Sequence, residues 1–217
     1  MSEMYTDALQ ETPEDSTFPH RPWLSILFSP RSTIRAIIDS DPHRYVYVIV
    51  MIAGVFEFLS SASERDFGDS ISLVVILAGS IVIAPLAIIG WFINGSILGW
   101  SGRLLGGKAT SDEVRAALAW SNVPLIISLF FLIAIIPIYG IDLFRFDAPR
   151  LDSNPFPFML YLLLGLVLAL WHYVILWKCY AEVHNISLLI ALVAYLLPFA
   201  IILALLLPII FLLLYTA

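Results

Sequence analysis

The chain has 217 residues, of which 60% are hydrophobic and only 13% are charged, and its mean hydropathy is +0.94. Water-soluble domains carry about a quarter of charged residues, so this composition excludes a soluble fold and indicates an all-α membrane protein. The 11 basic and 17 acidic residues give a net charge of −6, which excludes a nucleic-acid-binding surface.

Residues 1–22 differ from the rest of the chain because they are polar and acidic. The first 20 residues contain five acidic residues and neither Lys nor Arg. Such a segment has too little apolar surface to offset the entropy of ordering it, so we expect a disordered acidic tail over 1–22. It lacks a basic stretch followed by an apolar one, which argues against a cleavable signal peptide.

Residues 23–41 have the pattern of a helix that lies on the membrane surface. Three isoleucines recur there at helical spacing and two arginines lie beside them, namely Ile34, Ile37, Ile38, Arg31 and Arg35. An apolar stripe next to cations suits the boundary between lipid and water. We therefore predict an interfacial amphipathic helix before the first span.

Five apolar blocks follow, at about 45–62, 71–105, 123–144, 156–180 and 186–215. A helix rises 1.5 Å per residue, so about 20 residues cross a hydrocarbon core about 30 Å thick. We predict a membrane domain over 23–217, built as a five-transmembrane-helix bundle with interfacial amphipathic helices. The long block 71–105 is compatible with one kinked helix or, if it folds back at Pro85, with two short legs.

Basic residues indicate the orientation, because they are retained on the cytoplasmic side of a membrane. With five spans and a cytoplasmic N-terminus, eight of the 11 lie inside, namely Arg21, Arg31, Arg35, Arg44, Arg103, Lys108, Arg115 and Lys178. Folding back at Pro85 gives six spans and a count of six inside against five outside. The five-span arrangement, with the C-terminus outside, is therefore favoured.

Four glycines in the second block fall on one narrow helical stripe, Gly95, Gly99, Gly102 and Gly106. Small residues repeated in this way let another helix approach closely in lipid. The stripe predicts either tight packing within one bundle or a homo-oligomer that forms through this face.

Three polar residues lie inside apolar blocks, Glu57, Asn94 and His172. An ionisable group in hydrocarbon is costly, so each is a candidate for a proton relay or a substrate contact. The alternatives are structural: Glu57 is close enough to the end of its block to reach water, Asn94 can bond a neighbouring helix, and His172 can be a hydrogen-bonded core histidine.

The segment 106–124 is patterned as a turn followed by a short helix. Gly106 and Gly107 end the second block, Ser111 suits the N-cap, and Asp112 and Glu113 favour the positive end of a new helix dipole. We predict a short cytoplasmic amphipathic helix whose apolar side contains Val114, Ala117, Leu118 and Trp120. It serves either as an interfacial elbow or as a docking surface.

The chain has no pattern typical of a catalytic, cofactor or metal site. His172, Cys179, Glu182 and His184 are metal-ligand types, but their spacing fits no zinc template. Phosphate-binding, dinucleotide and nucleophile motifs are absent. We therefore predict no enzyme activity, no cofactor and no metal.

The sequence resembles the Yip (Ypt-interacting protein) domain family of membrane proteins, in particular its bacterial branch. The similarity lies in three stretches, the segment 106–124 ending in Ala-Trp-Ser-x-x-Pro, the entry helix at 27–37 with Pro-x-x-Thr, and the turn at 177–187 with Glu-Val-His. The resemblance implies five spans, a cytoplasmic N-terminus and, for a bacterial member, the inner membrane. The Asp-Leu-Tyr-Gly-Pro motif of eukaryotic relatives that bind Rab-type GTPases is absent, so that role is not implied.

Two functions follow from these features, and a third, an intramembrane enzyme, has no positive support. The sequence favours a non-enzymatic membrane scaffold or adaptor that recruits partners by helix packing. Its basic residues are expected to contact anionic lipid of the bilayer, at Arg31, Arg35, Arg44, Arg103, Lys108 and Arg115. The alternative is a small transporter or channel for protons, ions or lipid that uses the intramembrane polar residues. Convergence of Glu57, Asn94 and His172 on one cavity would favour transport, and dispersal would favour the scaffold.

Overall fold

A computed structural model describes residues 18–216, except for the side chains of six residues near the end of the last helix. Within this range the chain is helical and contains no strand. The helices are α1 Pro22–Phe28, α2 Pro30–Ser40, α3 Val46–Glu64, α4 Leu73–Ile83, α5 Leu86–Leu104, α6 Ser111–Ser121, α7 Val123–Tyr139, α8 Pro149–Ser153, α9 Phe156–His184 and α10 Leu188–Thr216. Short 3₁₀ turns lie at Phe67–Asp69 and Gly140–Phe144.

The fold is an all-α membrane bundle. In the described part of the chain, four helical stretches are long and apolar enough to cross a membrane, Val46–Glu64, Ser111–Phe144, Phe156–His184 and Leu188–Pro208. The pair α4 and α5 meets the same criteria when taken together, although it is bent by 48°. The count is therefore four, or five if the bent pair is one span.

The break between α4 and α5 lies at Ala84 and Pro85, within the block 71–105. Proline lacks an N–H group and cannot continue the hydrogen-bond ladder, and the next amides, of Ala87 and Ile88, donate instead to the carbonyls of Ala84 and Pro85. Because the two helix axes differ by only 48°, the chain does not fold back on itself at this break. The block is thus two helices that together run from one end of the bundle to the other.

Contacts between distant segments define the two ends of the bundle. At one, the α2 end, Arg35 Nη2 donates to the carbonyl of Glu182 at 2.8 Å, and the amide of Lys108 donates to the carbonyl of His184 at 3.1 Å. At the other, the α8 end, Ser63 Oγ donates to the carbonyl of Leu143 at 2.6 Å. Residues 35, 103, 108 and 115 therefore share one end, as the five-span arrangement requires.

Five helices form a ring, in the order α3, α5, α10, α9, α7 and back to α3. The polar-ended helix α6 lies inside this ring at the α2 end, where it contacts α2, α3, α5 and α9. Its apolar side includes the predicted residues 114, 117, 118 and 120, but Ala116, Ala119 and Ser121 are buried too. The short amphipathic helix that the sequence predicts is therefore present, and it forms a plug that packs among other helices at this end of the bundle.

The N-terminal region is also more deeply packed than expected. The predicted interfacial segment consists of α1 and α2, which break at Ser29 as the Ser29-Pro30 pair in the sequence indicates, and Ile34 and Ile37 are fully buried. Most of the predicted tail, residues 1–17, lies outside the described range, but Phe18 packs against the core and Pro22 is buried. The folded domain therefore begins before residue 23.

Candidate functional site

An open cavity of about 610 Å³ lies between the helices of the ring, and Glu57, Gly90 and Asn94 of its lining are exposed. Residues of α3, α5, α9 and α10 line its sides, and Leu118, Ser121 and Asn122 of the α6–α7 region close it towards the α2 end. Ligand pockets in proteins have volumes of about 300–1,000 Å³, so this space is large enough for a small organic molecule.

The three polar residues singled out in the apolar blocks all line this cavity. Glu57 comes from α3, Asn94 from α5 and His172 from α9. Each lies on a different helix of the ring, so the arrangement of the helices, and not their spacing in sequence, brings them together.

The His172 ring is held in one tautomer. Its Nδ1 lies 2.8 Å from the carbonyl oxygen of Ser121. A carbonyl oxygen can only accept, so Nδ1 carries the hydrogen and, in the neutral ring, Nε2 is left as an acceptor. The hydrogen bond therefore joins α9 to the end of α6 and leaves one ring nitrogen available to a ligand.

Other polar groups around the cavity have no partner among the described residues. The side chains of Glu57, Asn94 and Asn122 and the hydroxyl of Tyr195 make no hydrogen bond or ion pair with residues 18–216. Polar groups inside proteins are nearly always satisfied by protein, water or ligand. This cavity therefore suits water or a polar molecule better than lipid chains.

Aromatic rings form much of the remaining wall, from Phe58, Trp91, Tyr173 and Tyr195. The Trp91 indole is fixed because its Nε1 donates to the carbonyl of Arg115 at 3.0 Å. The sequence did not single out these aromatics, nor Ser121 and Asn122. A signal existed for the last two, since a polar pair interrupts an otherwise apolar run just before Pro124.

The predicted glycine stripe packs against side chains of the same chain. A Cβ at Gly95 would overlap the Arg115 side chain, one at Gly99 would lie 3.2 Å from Arg103 Nη1, and one at Gly102 would overlap the His184 ring. Gly106 lies beyond the end of α5, with φ +89°, and a Cβ there would meet nothing within 4 Å. Gly106 is thus a turn residue, not part of the stripe, and the other three serve packing within the bundle.

The six predicted basic contact residues fall into two groups. Arg31, Arg44, Arg103 and Lys108 are exposed. Arg35 lies 3.3 Å from Glu182 Oε1, and Arg115 donates to Asp112 and to Ser96, each at 2.9 Å, with its guanidinium 3.5 Å from the centre of the Phe92 ring. The second group therefore ties helices together, and only the first is available to lipid or partners.

No group of three or more His, Cys, Asp or Glu that could hold a metal ion occurs among residues 18–216.

Comparison with known proteins gives one match. The Yip1 domain family matches residues 24–210, which are most of the chain and include every residue that lines the cavity. No curated protein and no solved structure matches the sequence.

Proposed function

Because the chain belongs to the Yip1 domain family and is a multi-pass membrane protein whose helices surround a polar cavity, we propose that it binds a small polar or amphipathic molecule there and carries it through the membrane. This function is the small transporter that the sequence leaves open as the alternative to a scaffold. The protein acts without covalent chemistry, by binding and release.

The observation that carries the proposal is the meeting of Glu57, Asn94 and His172 at one cavity of about 610 Å³. Charged and amide groups at membrane depth are costly unless they serve a site or have partners. Glu57 and Asn94 are exposed and have no partners among the described residues, so they are available to a molecule that enters the cavity from outside the chain.

A scaffold or adaptor role is the second candidate, and a different observation favours it. Arg31, Arg44, Arg103 and Lys108 are exposed at the α2 end, and Leu24 and Phe28, which precede Arg31 in sequence, are exposed as well. Cations next to exposed apolar residues suit contact with anionic lipid or with a membrane partner. The glycine stripe supports this role less, because its residues are already used within the chain.

We also propose a bacterial inner-membrane location, with the N-terminus in the cytoplasm and the C-terminus outside. The support is the count of eight basic residues inside against three outside. The choice of membrane rests on the resemblance of the segments 27–37, 106–124 and 177–187 to bacterial members of the family.

Two glycines allow a matched test of the cavity. A Cβ at Gly90 or at Gly165 meets nothing within 4 Å, but only Gly90 lines the cavity. We expect Gly90→Phe to fill the cavity without disturbing the fold, and Gly165→Phe to add the same bulk elsewhere on a membrane helix.

The measurement is native mass spectrometry of protein purified in mild detergent. Wild type and Gly165→Phe should retain a bound small molecule of one mass, and Gly90→Phe should lose it at an unchanged melting temperature. The released compound should then exchange across proteoliposomes that contain wild type, more slowly with His172→Ala and not with Gly90→Phe. Equal retention by both phenylalanine variants, or no retained compound and no exchange, would favour the scaffold instead.

A further inference from the structure

The lining of the cavity contains an acidic side chain and no basic one. Of the residues that line it, Glu57 alone carries a formal charge at neutral pH, and neither Lys nor Arg lies among them. Arg115, the arginine of the plug, is engaged with Asp112, Ser96 and Phe92. Within the lining, the Glu57 carboxylate therefore faces no basic side chain.

The remaining polar groups add acceptors at the same place. His172 presents Nε2 as an acceptor because its Nδ1 donates to Ser121. The amide oxygens of Asn94 and Asn122 are not used by other described residues. The Glu57 carboxylate and His172 Nε2 are acceptors only, and the two amides offer donors as well as acceptors, so the site suits a ligand that donates hydrogen bonds or carries a positive charge beside Glu57.

The walls favour a particular kind of cation. Four aromatic rings line the cavity, those of Phe58, Trp91, Tyr173 and Tyr195, and aromatic faces attract ammonium groups by cation–π interactions. The volume of about 610 Å³ is far larger than a single metal ion needs and matches an organic molecule.

We propose that the ligand of this cavity is an organic ammonium ion with an apolar body, whose nitrogen pairs with Glu57 and whose carbon skeleton packs on the aromatic walls. This inference rests on the proposed function and names its substrate class. A free amine and the amine headgroup of a lipid share this chemistry.

The test uses charged thiol reagents as probes of the cavity. The chain has a single cysteine, Cys179, which is buried, so Cys179→Ser gives a background without thiols. Gly90→Cys places a thiol in the cavity, and Ser153→Cys, exposed on α8, reports the reactivity of a thiol in water. Each is treated in membranes with a methanethiosulfonate that carries a trimethylammonium group and with one that carries a sulfonate.

We expect Gly90→Cys to react faster with the cationic reagent than with the anionic one, by about tenfold or more relative to Ser153→Cys, because a cleft of one charge concentrates counter-ions. Glu57→Gln should remove this preference and Glu57→Asp should keep it. Equal relative rates in the Glu57-containing protein would overturn the ammonium ligand but leave an accessible cavity. No reaction with either reagent would overturn the proposed function as well.

Competition identifies the class of cation. Tetraethylammonium chloride should slow modification of Gly90→Cys, and potassium chloride at the same concentration should not. Equal protection by both salts would show a site for inorganic cations and would overturn the proposal. Protection by ethanolamine but not by vesicles of phosphatidylethanolamine would assign the source to a free amine, and protection by the vesicles would assign it to lipid.

Discussion

The His184 side chain is fully buried at the α2 end, between Gly102 and Gly107. A Cβ at either glycine would overlap the imidazole ring, and one at Gly102 would also lie 2.7 Å from the Tyr180 hydroxyl. The hydroxyl in turn donates to the carbonyl of Leu98 at 2.7 Å. The ring is enclosed on both sides, so neither glycine can gain a side chain without displacing it.

We expect Gly102→Ala to destabilise the protein by about 1–3 kcal/mol, the usual cost of overpacking a filled site. Gly165→Ala is the control, because a Cβ there meets nothing within 4 Å and alanine favours a helix over glycine by about 1 kcal/mol. Melting temperatures in detergent should therefore fall for the first and rise or stay level for the second. Equal melting temperatures would show that His184 has room to move.

The sequence identified some residues of the cavity and missed others for a physical reason. Glu57, Asn94 and His172 stand out because an ionisable or amide group in an apolar block carries a desolvation cost that can be read from sequence. Tyr195 and Trp91 carry no such signal, since aromatic residues are common in membrane helices. Their role depends on which face of the helix points inwards.

At the scale of the element, the start of α6 shows how a cap is chosen. Thr110 and Ser111 are both acceptable N-caps, but Thr110 occupies the position: its Oγ1 accepts from the amide of Glu113 at 3.3 Å, and Glu113 Oε2 accepts from the amide of Thr110 at 2.6 Å. This capping box satisfies two amides at once. The spacing Thr-x-x-Glu in the sequence predicts the same choice, and the assignment to Ser111 was wrong.

Thr110→Ala should therefore lower stability by about 1 kcal/mol, the typical loss on removing an N-cap. Ser111→Ala changes the neighbouring hydroxyl without touching the capping box and should have little effect. The comparison is made by thermal or denaturant unfolding of the two variants in the same detergent. A larger loss for Ser111→Ala would contradict the assignment of the cap.

The depth at which α6 is packed does not follow from its own sequence, because its surroundings are not local. Ala116 and Ala119 are small, and they fit against neighbours that come from α2, α3, α5 and α9. A helix with a polar start and a partly apolar face reads as a surface helix when those neighbours are unknown. Packing against helices that are distant in sequence buries α6, and sequence periodicity carries no information about those contacts.

The three segments that carry the family resemblance meet at the α2 end. Arg35 of α2 bonds to Glu182, and the loop before α6 bonds to His184, through the amides of Lys108 and Ala109 at 3.1 and 3.4 Å. Segments far apart in sequence thus share one set of contacts. The resemblance to the family is therefore concentrated in the segments that build the α2 end of the bundle.

At the scale of the whole molecule, the arrangement of the ends predicts which loops share a side of the membrane. With Cys179→Ser as background, we expect Ser153→Cys to react with a membrane-impermeant maleimide in intact cells, and Lys108→Cys to react only in inverted vesicles. The two residues lie at opposite ends of the bundle and are exposed. Labelling of both from the same side would contradict the proposed orientation.

The sequence predicts the helical membrane fold better than the order of helices around the ring. Apolar block length and basic-residue counts are local quantities, and they indicate the spans and favour one end for Arg103 and Lys108. The contact between α5 and α10 closes the ring and joins helices far apart in the chain. Glu57 on α3 and His172 on α9 face the same space because α3 and α9 both contact α7 within this ring.

The burial of α6 has a consequence for biosynthesis. Its neighbours α2, α3 and α5 are made before it, but α9, which covers another of its faces, is made only after α7 and α8. While the chain is being inserted, α6 therefore lacks part of its final surroundings until α9 has been made. The plug reaches its place only when a later span arrives, so the order in which this protein is synthesised differs from the order in which it is assembled.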